Sequence, residues 1–437
     1  MKKYYLITLG LVFLTLQGVS QDTLLISRSQ VLEQALERNH ESRISDMETE
    51  MAAADFKRSN SLYLPQVSAS YTGITTNNPL MAFGSKLNQE ILTPADFNPA
   101  LLNDPDNVEN FATEILVLQP LLNLDGVYGR DAARIQKEAY GLKAERYREY
   151  LSLEATKMYM QLQLAYQAVN VLERAKLTSE EALEMVNDYF DQGLIQKADL
   201  LDVQVRASEV ANQLRYAKSN VQNTSDQLAI FMGEKPGLSV YQPTEGSLQA
   251  APQTSFPVIL PESRKDLRAM EMSVQGYESM LKSSRSKFLP RINAFGSFQI
   301  YDNQPLGFNA NGYVIGAKLS WELFNGYQNI AKTSKAKVEA EKARVEQEQY
   351  TLQQQAELNK ANRMYEDATQ KVESFKLAFD QAQEAYRTRK DRYEQGLEKT
   401  TDLLSSETQM YQKELAYQQA VFEFNFSKEY LQFLTRQ

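Results

Sequence analysis

Tyr189-Phe190-Asp191-Gln192-Gly193-Leu194-Ile195-Gln196-Lys197-Ala198-Asp199-Leu200-Leu201-Asp202 breaks a very long helical pattern and then restarts it. A second copy, Arg392-Tyr393-Glu394-Gln395-Gly396-Leu397-Glu398-Lys399-Thr400-Thr401-Asp402-Leu403-Leu404-Ser405, repeats Gln-Gly-Leu and Asp-Leu-Leu at the same internal spacing. In each, a glycine suited to a left-handed C-cap (Gly193, Gly396) is followed by polar residues and an acid (Asp199, Asp402) suited to capping the new N-terminus. Both stretches, 189–202 and 392–405, therefore read as the tips of helical hairpins.

The pattern leading into the first tip begins near Asp125-Gly126 and runs to about Phe190. At about 1.5 Å per residue it spans on the order of 90 Å, far longer than a usual globular helix. After the tip, Leu200, Val203, Ala207, Val210, Leu214, Ala217, Val221, Leu228 and Phe231 recur at steps of three and four, a coiled-coil seam. The second long helix opens at Asn325-Gly326 and runs to about Gln395, with Met364, Ala368, Val372, Phe375, Phe379, Ala382 and Tyr386 on its seam; Asp402 begins the last helix.

Upstream of each long helix the period changes from helix to strand. A helical pattern from Arg28 to Leu62 stops at Leu64-Pro65, and one from about Glu262 stops at Leu289-Pro290, because proline removes a donor and disfavours helix before it. Strands are expected at 66–76, 110–122, 291–301 and 312–324. Val67, Ala69, Tyr71 and Gly73 alternate with Gln66, Ser68, Ser70 and Thr72; Tyr313, Ile315, Ala317, Leu319 and Trp321 alternate with Lys318, Ser320 and Glu322. Phe111, Ile115 and Val117 share a face, although Leu116 and Leu118 blur that alternation. The order helix, strand, strand, long helix, tip, helix thus appears twice, in 21–232 and 262–437, with a proline-rich linker at 233–261 between them. The first copy differs mainly in a longer loop between its strands, 77–110, rich in Asn, Pro and Asp.

The N-terminus adds a compartment. Lys2 and Lys3, the apolar run Leu6 to Leu16 and the small residues Gly18 to Ser20 have the order of a secretory signal, expected over 1–20. There is no cysteine, which excludes disulfides, thiolate metal sites and a lipidated thiol. A net charge of −9 argues against a nucleic-acid partner. The single histidine, His40, sits among Asn39, Glu41 and Arg43 and reads as a solvated helix residue. No glycine-rich nucleotide loop, nucleophile elbow or spaced His or Cys cluster is present, so neither catalysis nor a cofactor or metal is expected.

Strands of about 10 residues with one apolar and one polar face suit a tilted crossing between lipid and water. Four strands cannot close, and open edges in lipid would strand backbone groups at several kcal/mol each. Several chains must then share one barrel, and three would supply twelve strands.

The chain resembles the TolC-like outer-membrane efflux proteins over essentially all of its length after 1–20. The resemblance rests on the duplicated Leu-Pro before each first strand, on Leu319-Ser320-Trp321-Glu322-Leu323-Phe324-Asn325-Gly326 leaving the last strand, and on the doubled Gly-x5-Asp-Leu-Leu tip. It implies a mainly α fold with a β-barrel segment. It also implies a homotrimer whose twelve-stranded barrel in outer-membrane lipid continues into a periplasmic α-helical barrel. Such a trimer is the passive outer-membrane channel of a tripartite efflux or type I secretion system, docked through a periplasmic adaptor to an inner-membrane pump. The alternative is a soluble periplasmic coiled-coil adaptor or scaffold, which has no reason to carry strands with an apolar face.

The resemblance also places function at the tips, which close the tube in the family. Asp402 and Ser405 fall where relatives carry two acids; Asp199 and Asp202 are both acidic in the first copy, and threefold symmetry would make rings that favour cations. Tyr393 matches a tyrosine that holds the closed state, with Asp199 as the matching partner across the coil. Glu398 stands where relatives have arginine, which would repel Asp199 and leaves Lys197 or Lys399 as substitutes. Simple capping is the other reading of Asp199 and Asp402, as of Gly193 and Gly396. Trp321, Tyr313 and Tyr71 are expected either in an interfacial belt, favoured for Trp321, or in strand packing. The 77–110 loop either folds over the outer mouth or is a plain surface loop.

Overall fold

Prolines and glycines punctuate the chain as expected in the computed structural model, which describes residues 22–436. The signal segment expected at 1–20 lies outside the described residues. Strand β1 (Asp22–Ile26) leads to helices α1 (Arg28–Arg38) and α2 (His40–Arg58), then β2 (Gln66–Thr76), short helices α3 (Pro79–Asn88) and α4 (Pro99–Asn103), and β3 (Val108–Leu122). The long α5 (Leu124–Asp191) and α6 (Lys197–Phe231) complete the first copy, and β4 (Ser239–Pro243) lies between the copies. The second copy is α7 (Lys265–Ser286), β5 (Arg291–Asp302), β6 (Ala310–Ser320), α8 (Gln328–Glu394) and α9 (Thr400–Leu434). The duplication is complete down to helix length: α5 and α8 have 68 and 67 residues, and α6 and α9 have 35 each.

The described chain forms two units, one built from Ser45–Arg146 and Glu262–Gln353, the other from the described residues of Met1–Ile44 with Tyr147–Pro261 and Gln354–Gln437. The first unit holds a four-stranded sheet in the order β2-β3-β5-β6, antiparallel throughout. Register places Ala69, Ile115, Phe298 and Tyr313 in one row across it, and Val67, Val117, Gly296 and Ile315 in the next. Side chains on this face stay exposed although they are large and apolar: Val67 66%, Phe298 42%, Tyr313 75% and Ile315 78%. Ser68, Ser70, Glu114 and Gln299 lie on the opposite face, where the Gln299 amide donates to Glu114 Oε1 at 2.9 Å. Leu116 and Leu118 pair with Ser68 and Gln66 and so lie on this polar face, which explains the blurred alternation of β3.

Four strand boundaries differ from expectation. β3 and β6 start two residues early, at Val108 and Ala310, β5 ends one residue late at Asp302, and β6 ends at Ser320 instead of running to 324. The earlier stop has a local cause: the Trp321 indole N–H donates to the Phe288 carbonyl at 2.9 Å, and Glu322 accepts from the Asn325 amide at 3.0 Å, turning the chain out of strand. The 77–110 loop is also more folded than its composition suggests. Asn78 caps α3 by accepting from Met81 N–H at 3.2 Å, and Lys86 meets Asp96 at 2.7 Å. The buried Gln89 amide donates to the Glu109 carbonyl at 2.8 Å and to Asn110 Oδ1 at 2.9 Å, which pins the end of α3 to β3.

In the second unit, β1 pairs in parallel with β4, so the proline-rich linker contains a strand that its composition hid. Ile26 and Tyr241 from this pair enter a core with Val31, Leu151, Tyr159 and Leu228. The expected single helix from Arg28 to Leu62 breaks at Asn39. Its Oδ1 accepts from the Glu41 and Ser42 amides at 3.0 and 3.1 Å, while its Nδ2 donates to the Phe231 carbonyl at 2.9 Å. His40 follows this break and is exposed, as expected.

Candidate gate at the helical tips

Each tip closes by the same local geometry. Gly193 has φ +70° and donates to the Phe190 carbonyl at 2.9 Å, while Leu194 reaches back to the Tyr189 carbonyl at 2.9 Å. Gly396 has φ +73° with the equivalent bonds to Tyr393 and Arg392 at 2.9 Å. This is a helix C-terminal motif that needs a left-handed residue. A side chain at either glycine would meet nothing within 4 Å, so the constraint is backbone conformation alone.

The helices restart earlier than the acids. α6 begins at Lys197 and α9 at Thr400, which puts Asp199 and Asp402 at the third helical position rather than at the cap. Asp199 Oδ2 accepts from the Gln196 backbone N–H at 3.1 Å, the acid half of a capping box. In the second copy Lys399 occupies the cap position without a side-chain bond. Asp199 and Asp402 are partly exposed and Asp202 is exposed, and Asp199 and Asp402 lie in the first turn of their helices, where negative charge is favoured.

Tyr393 is 4% exposed and packs in a cluster with Val186, Leu200, Val203 and Leu403. Its hydroxyl shares a hydrogen bond with Thr400 Oγ1 at 3.2 Å, and its ring lies 6.0 Å from that of Tyr189. Burial is the main reason its phenol is pushed up, with Asp199 adding to it. Within one chain the hydroxyl is thus bonded to Thr400, not to Asp199. Glu398 does not stand as a bare charge against Asp199 either: Arg389 and Arg392 hold it at 3.1 and 2.9 Å. Neither Lys197 nor Lys399 has a carboxylate within 4.0 Å among the described residues.

Further along α9, Glu407 is 1% exposed, and its nearest cation is Arg206, whose Nη2 is 3.9 Å away. Burial raises its carboxyl to about 7, with Arg206 offsetting only part of the cost. The sequence does carry a signal for it, since Leu403, Glu407, Met410 and Glu414 follow seam spacing and two of the four are acids. Glu414 is met by Arg174, so Glu407 is the less compensated of the pair.

The three candidate belt aromatics are separated in the sheet unit. Tyr313 is 75% exposed on the apolar face of β6, and Trp321 is 57% exposed just beyond that strand. Tyr71 is 46% exposed on β2, stacks on Phe111 at 6.3 Å, and accepts a hydrogen bond from Leu306 N–H at 2.9 Å. Tyr71 therefore also has a packing role.

Comparison with known proteins bears on the fold and family of the whole chain. The fold is similar to the Campylobacter jejuni CmeC outer membrane channel, with TM-score 0.81, 16% identity, and coverage of 93% of this chain and 85% of that one. The open state of the Neisseria gonorrhoeae MtrE outer membrane channel gives 0.76 at 16% identity, covering 93% and 88%. The Vibrio cholerae outer membrane protein VceC gives 0.77 at 14% identity, covering 92% and 95%. No curated protein sequence matches. The family described as outer membrane efflux protein matches residues 31–234 and 258–422, so this duplicated, mainly helical chain with its four-stranded sheet belongs to the outer membrane efflux protein family.

Proposed function

We propose that three copies of this chain form the outer-membrane channel of a tripartite efflux or type I secretion system, a passive conduit for substrates delivered by an inner-membrane pump through a periplasmic adaptor. The observation that carries the reading is the sheet. β2 and β6 each pair on one side only among the described residues, while one face presents Val67, Ile115, Tyr313 and Ile315 unpacked. Such a sheet needs both lipid against its face and strands against its edges, and copies of itself supply the second. Conductance in planar bilayers, together with the mass of the detergent-extracted species, tests this. A trimer that conducts is expected; a lone, well-folded subunit that passes no current overturns it.

On this reading the tips form the periplasmic constriction, and Asp199, Asp202 and Asp402 supply its negative charge. Multivalent cations added on the periplasmic side are expected to reduce single-channel conductance, and Asn at all three positions should abolish that block. Persistence of the block in the triple variant would remove these carboxylates from the constriction.

Tyr393 restrains the closed state through the bond its hydroxyl makes at the tip. Tyr393→Phe keeps the packing and deletes that bond, worth about 1 kcal/mol, so a several-fold rise in open probability is expected. An unchanged open probability in bilayer recordings would assign the residue to packing alone.

A further inference from the structure

The apolar character of the sheet face continues past the end of β6. Trp321, Leu323, Phe324 and Tyr327 are 57%, 77%, 74% and 68% exposed, and Phe324 and Tyr327 stack edge to face at 5.8 Å. Four large side chains in one short turn are more than scattered surface hydrophobics, and they mark a surface that is covered in use.

Beside this turn lies a recess of about 420 Å³ whose lining includes Lys287, Arg291, Trp321, Glu322 and Lys332. Three cations in one recess stand out on a chain of net charge −9. Arg291 is paired with Asp125, and the Glu322 carboxylate is taken up by the Asn325 and Asn329 amides at 3.0 and 3.3 Å. Lys287 and Lys332 have no carboxylate within 4.0 Å among the described residues. With Arg291 paired to Asp125, Lys287 and Lys332 against Glu322 leave the lining of this recess with a surplus of one positive charge, which an entering anion would balance.

We propose that this recess binds the phosphate headgroup of an anionic glycerophospholipid, with Lys287 and Lys332 as its counter-charges and the Trp321–Tyr327 turn lodged at the headgroup–acyl boundary. The inference rests on the outer-membrane reading above and adds a lipid class and a site to it. The end of the sheet from which the helices depart is then the periplasmic one, so the lipid belongs to the inner leaflet. A free phosphate would satisfy the lysines but leave the aromatic turn uncovered; a lipid satisfies both. Aromatic side chains at the interface and lysines beside anionic headgroups are each independently favourable.

Native mass spectrometry of the detergent-extracted assembly, equilibrated with phosphatidylglycerol or with phosphatidylcholine of the same chains, reads the retained lipid directly. Phosphatidylglycerol is expected to be retained about tenfold more strongly, and the Lys287→Gln/Lys332→Gln double variant should fall to the phosphatidylcholine level. Its single-channel conductance in phosphatidylcholine bilayers should equal that of the wild type, which separates failure of the site from failure of the channel reading. Equal retention of the two lipids by the wild type, or undiminished phosphatidylglycerol on the double variant, overturns the proposal. Complete displacement of phosphatidylglycerol by millimolar inorganic phosphate would also overturn it, by making the site one for the free anion.

Discussion

Replacing Asp266 with alanine is expected to destabilise the sheet-bearing unit by about 3–5 kcal/mol, the usual cost of deleting one partner of a buried ion pair. Arg264 is 1% exposed, the largest fully buried side chain among the described residues, and its Nε donates to Asp266 Oδ1 at 2.8 Å. Tyr350 donates to Asp266 Oδ2 at 2.7 Å, and Arg146 approaches the same carboxylate at 3.7 Å. One acid thus holds two guanidinium groups and a phenol from three helices. Burial alone would raise this carboxyl, but the bonds from Arg264 and Tyr350 and the two arginine charges outweigh it and hold it at about 2. A carboxyl lowered from 3.8 stabilises the fold above that pH, and the contribution disappears as pH falls towards 2. Thermal unfolding followed by helical circular dichroism checks both parts. Asp266→Ala should unfold well below the wild type at pH 7, and the gap should narrow near pH 2; a variant within about 0.5 kcal/mol of wild type at pH 7 would show the network to be dispensable.

Glu407→Gln is expected to act in the opposite direction, with a gain that opens above about pH 4.5 and is nearly full by pH 7. With its carboxyl raised from 4.5 to about 7, Glu407 contributes stability that is complete below pH 4.5 and lost as pH climbs past 7. Above pH 8 the folded protein must carry a buried charge whose only close cation among the described residues is Arg206 at 3.9 Å, while Tyr386 on α8 and Glu181 on α5 add no positive charge to the same packing. Glutamine removes that charge and keeps the shape. At pH 8 the variant should be more stable by about 1–3 kcal/mol, the upper end corresponding to the full shift and the lower to loss of the Arg206 attraction. At pH 4 the two proteins should unfold together. Identical pH profiles for wild type and variant would show that Glu407 is not buried as a charge.

Some of this was readable from the chain because it is local. Glycine followed six residues later by Asp-Leu-Leu marks each tip, and the geometry at Gly193 and Gly396 involves only residues within five positions. The Leu-Pro stops and the two-residue alternation of β2 and β6 are local too. The break at Asn39 was not readable, because the side chain that makes it spends one of its bonds on the carbonyl of Phe231, 192 residues away. The parallel pairing of β1 with β4 was hidden in the same way, since each strand is five residues long and neither carries an alternation strong enough to show alone.

The candidate gate divides along the same line. Glu398 looked like a charge set against Asp199 until the turn brought Arg389 and Arg392 onto it, and Tyr393 proved to have its partner, Thr400, across its own tip. Glu407 could be seen to break the apolar seam, but how deeply it is buried depends on helices brought together from three parts of the chain. What the sequence alone determined is the duplicated order of elements, since helix period, strand period, glycine and proline act over a handful of residues. Which charges are paired, which are buried and which stand open beside an apolar turn was decided by tertiary structure, because burial and Coulombic partnership depend on distance in space and not along the chain.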